Sequence, residues 1–295
     1  MAKTKLDELV AEDISKQKGV SIPVRAGLLE RILVRKTACS NLHPNAEDEF
    51  SINSVGPSYR IINEYETKFR EALRMETRVF DDPLTVEKLR PKGYLILNGH
   101  HRWAAAMRCG IKRVPIKIIN CATESDIKTI LEKSQHDKRV AIDLDEVVFR
   151  SADYKYLEKK AFTFPISLRL KQRVRLGIPG LFYYLAKNGY DIWVYAADFY
   201  SIDDIQRFFK AYSVHVDGII TGMGKREQIK SESEERMKEL INNKYSMTLH
   251  IDNETILETH NKTKEFNEFS IEAKEDEWSK RAIEIIEEIE KRAVR

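Results

Sequence analysis

Cysteine is scarce: Cys39, Cys109 and Cys121 are the only three in 295 residues. They are odd in number, widely spaced and lack a C-x-x-C pair, which excludes a disulfide framework and a zinc knuckle and points to a reducing compartment. Glycine and proline are sparse, at 12 and 8 residues, which excludes fibrous and low-complexity classes. No apolar run approaches the ~20 residues of a membrane span. The first residues, MAKTKLDELVAEDISKQKG, are charged throughout and lack the apolar stretch of a signal peptide. The expectation is a cytoplasmic protein with no membrane partner. Fifty basic and 47 acidic residues leave a net charge of +3, and neither half is a basic platform for nucleic acid.

What is present is core-forming material: 42% of residues are hydrophobic and 33% charged. The length suits two domains of roughly 150 residues each, placed at 1–137 and 138–295. In the first, Leu6, Leu9, Val10 and Ile14 share one helical face, with Gly19 as a stop. Residues 28–38 mix apolar and basic side chains and predict a strand; 41–57 are turn-rich. A helix over 58–79, a strand at 94–97, a short Ala-rich helix over 100–109 and a strand at 114–119 make a small α+β domain. Residues 121–138 read as a polar linking helix.

Beyond it the pattern is α/β. Short apolar runs at 139–143, 192–196, 216–220 and 247–251 alternate with helical stretches at 179–188, 202–212 and 225–243. That order predicts a parallel sheet covered on both faces, with a last helix over 275–292 packed on it. The charged run 226–239 reads as a solvated helix face.

Two segments carry chemistry. In Val140-Ala-Ile-Asp143-Leu-Asp145-Glu-Val-Val-Phe149, two carboxylates follow a buried strand; if the strand continues, both face one space. Leu249-His-Ile-Asp252-Asn253 ends a second strand the same way. Ligands of open parallel sheets bind beyond the carboxyl ends of the strands. Asp143, Asp145 and Asp252 together would suit a hard cation such as Mg²⁺. The plainer reading is that Asp143 and Asp145 cap or salt-bridge at a strand end.

The second segment is Asn98-Gly99-His100-His101-Arg102, which follows a strand and opens a helix. Glycine allows the tight turn, the first helical N–H groups attract anions, and two imidazoles with a guanidinium add donors: a phosphate cradle. Equally, His100 and His101 could cap the helix while Arg102 pairs with an acid.

Residues 138–295 resemble the haloacid dehalogenase (HAD) superfamily of phosphatases through the D-x-D-x-V pattern at Asp143 and the later Asp252 strand. The resemblance implies a Mg²⁺-dependent hydrolase of a small phosphorylated substrate. Asp143 would be the nucleophile, Asp145 the general acid and base, and Asp252 a metal ligand with Asn253 or Glu254 beside it. Lys225, or else Lys230, would be the lysine that neutralises the phosphate. The family's Ser or Thr at the second strand end is replaced here by Ala196, so the Ala197 N–H is the candidate substitute donor. Arg169, Lys171, Arg173 and Arg175 form a basic cluster that reads either as substrate steering or as an ordinary amphipathic surface.

Residues 83–120 resemble the ParB/sulfiredoxin fold through Tyr94-Leu-Ile-Leu-Asn-Gly-His-His-Arg-Trp-Ala-Ala-Ala-Met-Arg-Cys-Gly110 and Val114-Pro115. That family binds nucleotides through this turn, which implies ATP, ADP or CTP as ligand. The sulfiredoxin cysteine is His100 here, and residues 121–138 are too short for the partition proteins' DNA reader, so sequence-specific DNA binding is not expected. The Gly-His-His-Arg form is nearer to free-serine kinases, which implies a small-molecule kinase with Glu47 or Glu49 as base. A non-catalytic nucleotide sensor is the third alternative.

Overall fold

The computed structural model describes residues 4–52, 54–159, 161, 171–222, 232–261 and 265–293. The described chain divides between Asn120 and Cys121 into two compact units. Among the described residues no helix is long and apolar enough to cross a membrane.

The first unit opens with α1 (Lys5–Gln17), started by a reciprocal capping box between Thr4 and Asp7. Val10 is buried, with Leu6 and Ile14 packed against the same core. After β1 (Ile22–Val24) the chain forms α2 (Leu28–Ile32) and then β2 (Arg35–Ala38). The strand expected over 28–38 is thus half helix. Leu-Leu-Glu-Arg-Ile are good helix formers, and Glu30 reaches back to the Gly27 N–H at 3.0 Å to close the first turn.

The turn-rich stretch conceals β3 (Leu42–Pro44), which pairs with a later strand. Then come α3 (Tyr59–Arg74), β4 (Leu84–Arg90), β5 (Tyr94–Asn98), α4 (His100–Arg108) and β6 (Arg113–Ile118). Neither β1, β3 nor β4 was expected. The strands run β2-β6-β4-β5-β3, with β1 also paired to β4. Leu84, Val86, Ile96, Val114 and Ile116 from the sheet meet Phe50, Ile62, Phe69 and Trp103 in one core.

The second unit begins with α5 (Glu124–Lys133), capped by Thr123 and Asp126 in the same reciprocal way as α1. The linking helix attached to the first domain by its polarity belongs here. Ile127 is fully buried in a cluster with Trp193, Ile220, Ile241 and Tyr245.

Next are β7 (Lys138–Asp143), β8 (Phe149–Arg150), β9 (Arg173–Val174), α6 (Ile178–Lys187), β10 (Tyr190–Ala196), α7 (Ile202–Ala211) and β11 (Gly218–Thr221). They are followed by α8 (Glu232–Lys244), β12 (Met247–Ile251), β13 (Thr255–His260), β14 (Phe266–Ser270) and α9 (Trp278–Ala293). The sheet order is β11-β10-β7-β12-β13-β14. The first four strands are parallel, whereas β13 and β14 add an antiparallel edge that the parallel reading left out.

Successive residues of a strand face opposite sides. Ile192 and Val194 join a core with α6, α7 and α9, while Trp193 joins the cluster with α5 and α8. Both faces are therefore covered, and β7 lies in the interior of the sheet. Gly218 on β11 faces the Trp193 ring closely enough that a Cβ there would sit 2.2 Å from it, so only glycine fits.

Candidate functional site

β7 ends at Asp143 and does not continue to Asp145. Residues 144–148 form a single wide helical turn instead, because the Asp143 Oδ1 accepts the Glu146 N–H at 2.8 Å and caps it. The two carboxylates therefore do not share a face by strand alternation. Tyr195 of β10 is paired in register with Asp143, and Ile251 of β12 with Ile142, so Asp252 is the next residue beside Asp143 on the neighbouring strand.

The Asp145 side chain is turned towards the end of β10. Its Oδ2 accepts the N–H groups of Ala197 at 3.0 Å and Asp198 at 3.1 Å, and its Oδ1 accepts the Tyr200 hydroxyl at 2.7 Å. Burial, then the Asp145 contact, pushes the Tyr200 hydroxyl far above the usual phenol range, so it remains a donor. Asp143 is half-buried, and that burial raises its carboxyl above the ordinary carboxylate value. Asp252 is exposed and accepts its neighbour's N–H, from Asn253, at 2.6 Å.

These contacts correct two expectations. Asp143, Asp145 and Asp252 do not gather into one cage: among the described residues no three His, Cys, Asp or Glu side chains are placed to hold a metal ion. Asp145 is withdrawn because three donors already occupy it. Nor does the Ala197 N–H stand in for a phosphate donor, because Asp145 takes it, and Ala196 is only 1% exposed. Lys225, Lys230 and Arg169 lie outside the described residues.

The described part of the basic cluster is not one solvated face: Lys171 is exposed, Arg173 half-buried and Arg175 buried. Arg175 is 1% exposed; it stacks 4.0 Å from the Trp278 ring centroid and donates to Glu275 at 2.6 Å and to Asn253 Oδ1 at 3.1 Å. Arg150 donates to the same Asn253 oxygen at 2.7 Å, so the amide bridges two guanidinium groups at the end of β12. Sequence spacing gave no sign of this pair. A cavity of about 440 Å³ opens beside Asp145, walled by Phe149, Arg150, Lys171, Gln172, Asp198 and Tyr200 with Ser151 and Ala152.

In the first unit the turn after β5 is as sharp as expected. Gly99 has φ +105°, and a Cβ there would sit 2.4 Å from Leu84 Cδ2. The imidazoles, however, are not spare phosphate donors. His100 Nε2 accepts the Asn45 N–H at 3.2 Å, and His101 Nε2 accepts the Ser58 N–H at 3.1 Å. Both rings therefore pin the 45–58 segment, with Phe50 stacked on His100 at 5.4 Å between centroids and edge-on to His101 at 5.1 Å.

Burial lowers His100 to about 4, outweighing Asp48 at 3.4 Å from its Nδ1, and lowers His101 in the same direction. Among the described residues Arg102 makes no ion pair; it donates to the Asp82 carbonyl at 2.8 Å. Glu47 is exposed and Glu49 half-buried; Glu49 lies near enough to His101 to oppose that lowering. Asn98 ends β5 and is exposed.

Residues 68–135 match the ParB N-terminal domain family, a span that contains the 94–110 string and the Gly-His-His-Arg turn. No curated protein matches the chain. Among solved structures, the C-terminally truncated chromosome-partitioning protein ParB from Caulobacter crescentus, complexed with CTP-γ-S, is 20% identical, with a TM-score of 0.25. The match covers 36% of this chain and spans 56% of that one. The chain is ParB-like over the matched residues, which run from the first unit through α5 at the start of the second.

Proposed function

We propose that this protein is a phosphohydrolase of the haloacid dehalogenase type, acting on a small phosphorylated compound in its second unit. The carrying observation is Asp143, half-buried at the end of an interior parallel strand, with Asp145 held at the end of the next strand and a cavity beside it. In this reading the Asp143 carboxylate attacks phosphorus, forming an aspartyl-phosphate as the bond to the leaving oxygen breaks. Asp145 then takes the proton of the water that hydrolyses this intermediate, and the leaving oxygen is protonated through the same residue in the first step.

A three-carboxylate Mg²⁺ cage does not fit this arrangement. Asp143 at the end of β7 and Asp252 just past the end of β12 would hold Mg²⁺ in the lighter mode, with one or two carboxylates, waters and the substrate phosphate around it. When bound, the cation would offset the charge of the phosphate beside Asp143. Purified protein is expected to release phosphate from p-nitrophenyl phosphate, with activity lost on EDTA treatment and in Asp143→Asn. Full activity in Asp143→Asn would remove the reading.

The first unit is proposed to bind a nucleotide at the Asn98–Arg102 turn, supported by the family match and by the glycine-opened helix N-terminus of α4. Since His100 and His101 face the 45–58 segment, the helix N–H groups rather than the imidazoles would meet the phosphates. Calorimetry with ATP, ADP and CTP checks this; heats indistinguishable from buffer for all three would reject it.

A further inference from the structure

Five large aliphatic side chains of the first unit fall in one short stretch of sequence and stand in water. Val20, Ile22, Leu29, Leu33 and Val34 are each between 58% and 74% exposed. They belong to neighbouring elements. Ile22 and Val24 project from the same face of β1, and Val24 stands opposite Lys88 on β4. The Lys88 ammonium meets Glu30 of α2 at 2.7 Å, which holds α2 beside β1. α2 itself is two-sided. Leu28 and Ile32 are half-buried, whereas Leu29 and Leu33, four residues apart, face outwards together.

Single exposed apolar residues are ordinary on a protein surface, but a group of this size marks a contact surface. The charge around it says what fits. Residues 18–36 carry five basic side chains and one acidic. Lys18, Arg25, Arg35 and Lys36 are exposed, as is Arg90, which stands opposite Ile22. The single acid, Glu30, is half-buried and taken up by Lys88 and the Gly27 N–H. The aliphatic group holds no Trp, Tyr, Phe or Met, the anchors that protein interfaces favour. Aliphatic tips ringed by cations are instead the complement of a bilayer surface. Its acyl boundary takes the first and its anionic headgroups take the second.

We propose that this face of the first unit docks on an anionic lipid surface. Leu29, Leu33 and their aliphatic neighbours enter the boundary between headgroups and acyl chains, while Lys18, Arg25, Arg35, Lys36 and Arg90 meet the headgroup phosphates. The contact is peripheral and needs no spanning helix, so the lack of a spanning run, from which no membrane partner was expected, does not oppose it. It is independent of the phosphohydrolase reading.

The test is sedimentation of the full chain with phosphatidylcholine vesicles made with and without phosphatidylglycerol. The chain is expected to pellet with the anionic vesicles, not with phosphatidylcholine alone, and to be released as salt rises. Leu29→Ser with Leu33→Ser, at positions already in water, should weaken that binding at least about tenfold while leaving thermal unfolding unchanged. Arg35→Gln with Lys36→Gln should weaken it about tenfold and flatten its salt dependence. No pelleting with the anionic vesicles, or pelleting that the leucine changes leave intact, would overturn the proposal. So would a dimer in sedimentation velocity that the leucine changes dissolve, in a chain that ignores both kinds of vesicle; the face would then cover a second copy.

Discussion

Asp145 and Tyr200 meet at 2.7 Å, across the gap between the turn after β7 and the chain leaving β10. With the Ala197 and Asp198 N–H groups on its other oxygen, Asp145 joins the two strand ends. Tyr200→Phe should cost ~1.5–3 kcal/mol, the range for a hydrogen bond to a charged group. Asp145→Ala should cost more, because it strands a buried hydroxyl and two backbone donors. Urea unfolding followed by the fluorescence of Trp193 and Trp278, both in the second unit, gives the values. Equal stability of Tyr200→Phe and the parent chain would show that the bond is not formed in solution.

Asp143→Asn separates catalysis from folding. The asparagine Oδ1 can still accept the Glu146 N–H, so the 144–148 turn and the melting temperature should persist while phosphate release disappears. In the parent chain burial raises the Asp143 carboxyl, and only its ionised form is a nucleophile. The rate should therefore decline, as pH falls, at a higher pH than an ordinary aspartate would give. An acid limb at or below the ordinary range would contradict this.

The first unit should weaken in acid. His100 is depressed from 6.5 to about 4, so the folded chain binds fewer protons than the unfolded chain between those values. Its contribution is complete above pH 6.5 and is lost as pH falls towards 4, by roughly 3 kcal/mol for a shift of that size. Replacing the ring with Gln or Asn, which keep an acceptor but do not titrate, should flatten that part of the profile. Trp103, 2% exposed, reports the unfolding. An unchanged slope in both variants would exclude His100 as its source.

Gly99→Ala should be more damaging than a typical glycine substitution. The residue would be held at φ +105° with its Cβ 2.4 Å from Leu84 Cδ2. Strained backbone alone costs ~1–3 kcal/mol, and the clash in the core adds to it. Thermal unfolding measures the loss; a shift under a degree would mean that the turn relaxes freely.

Much of this was legible because apolar side chains recur at the spacing of the elements they build. The β7, β10 and β12 runs and the α3 and α9 faces are of this kind. β4 is hidden because Leu84-Thr-Val-Glu-Lys-Leu-Arg90 buries Leu84, Val86 and Leu89, and the two half-buried residues Glu87 and Lys88 between the last two break the alternation. β13 buries Glu258 at 7% exposure, against the usual meaning of a charged residue. The turn at 144–148 was hidden by Val147 and Val148, which read as more strand.

Site addresses were legible, whereas partners were not. Asp145 meets residues more than fifty positions away, and His100 and His101 meet Asn45 and Ser58 across 55 and 43 positions. Which nitrogen or oxygen a side chain presents is set by such distant neighbours, and no local spacing encodes it.

The placement of α5 fixes where the polypeptide can be severed. Ser134 and His136 reach Asp191, which also accepts the Tyr245 hydroxyl at 2.6 Å, and Ile127 sits beneath Trp193. A fragment begun at Lys138 would lose this lid and lay bare an indole, a phenol and two isoleucines. One begun ahead of Thr123 would keep the cap and the lid together, so the shortest autonomous piece starts some fifteen residues before the first strand of its sheet.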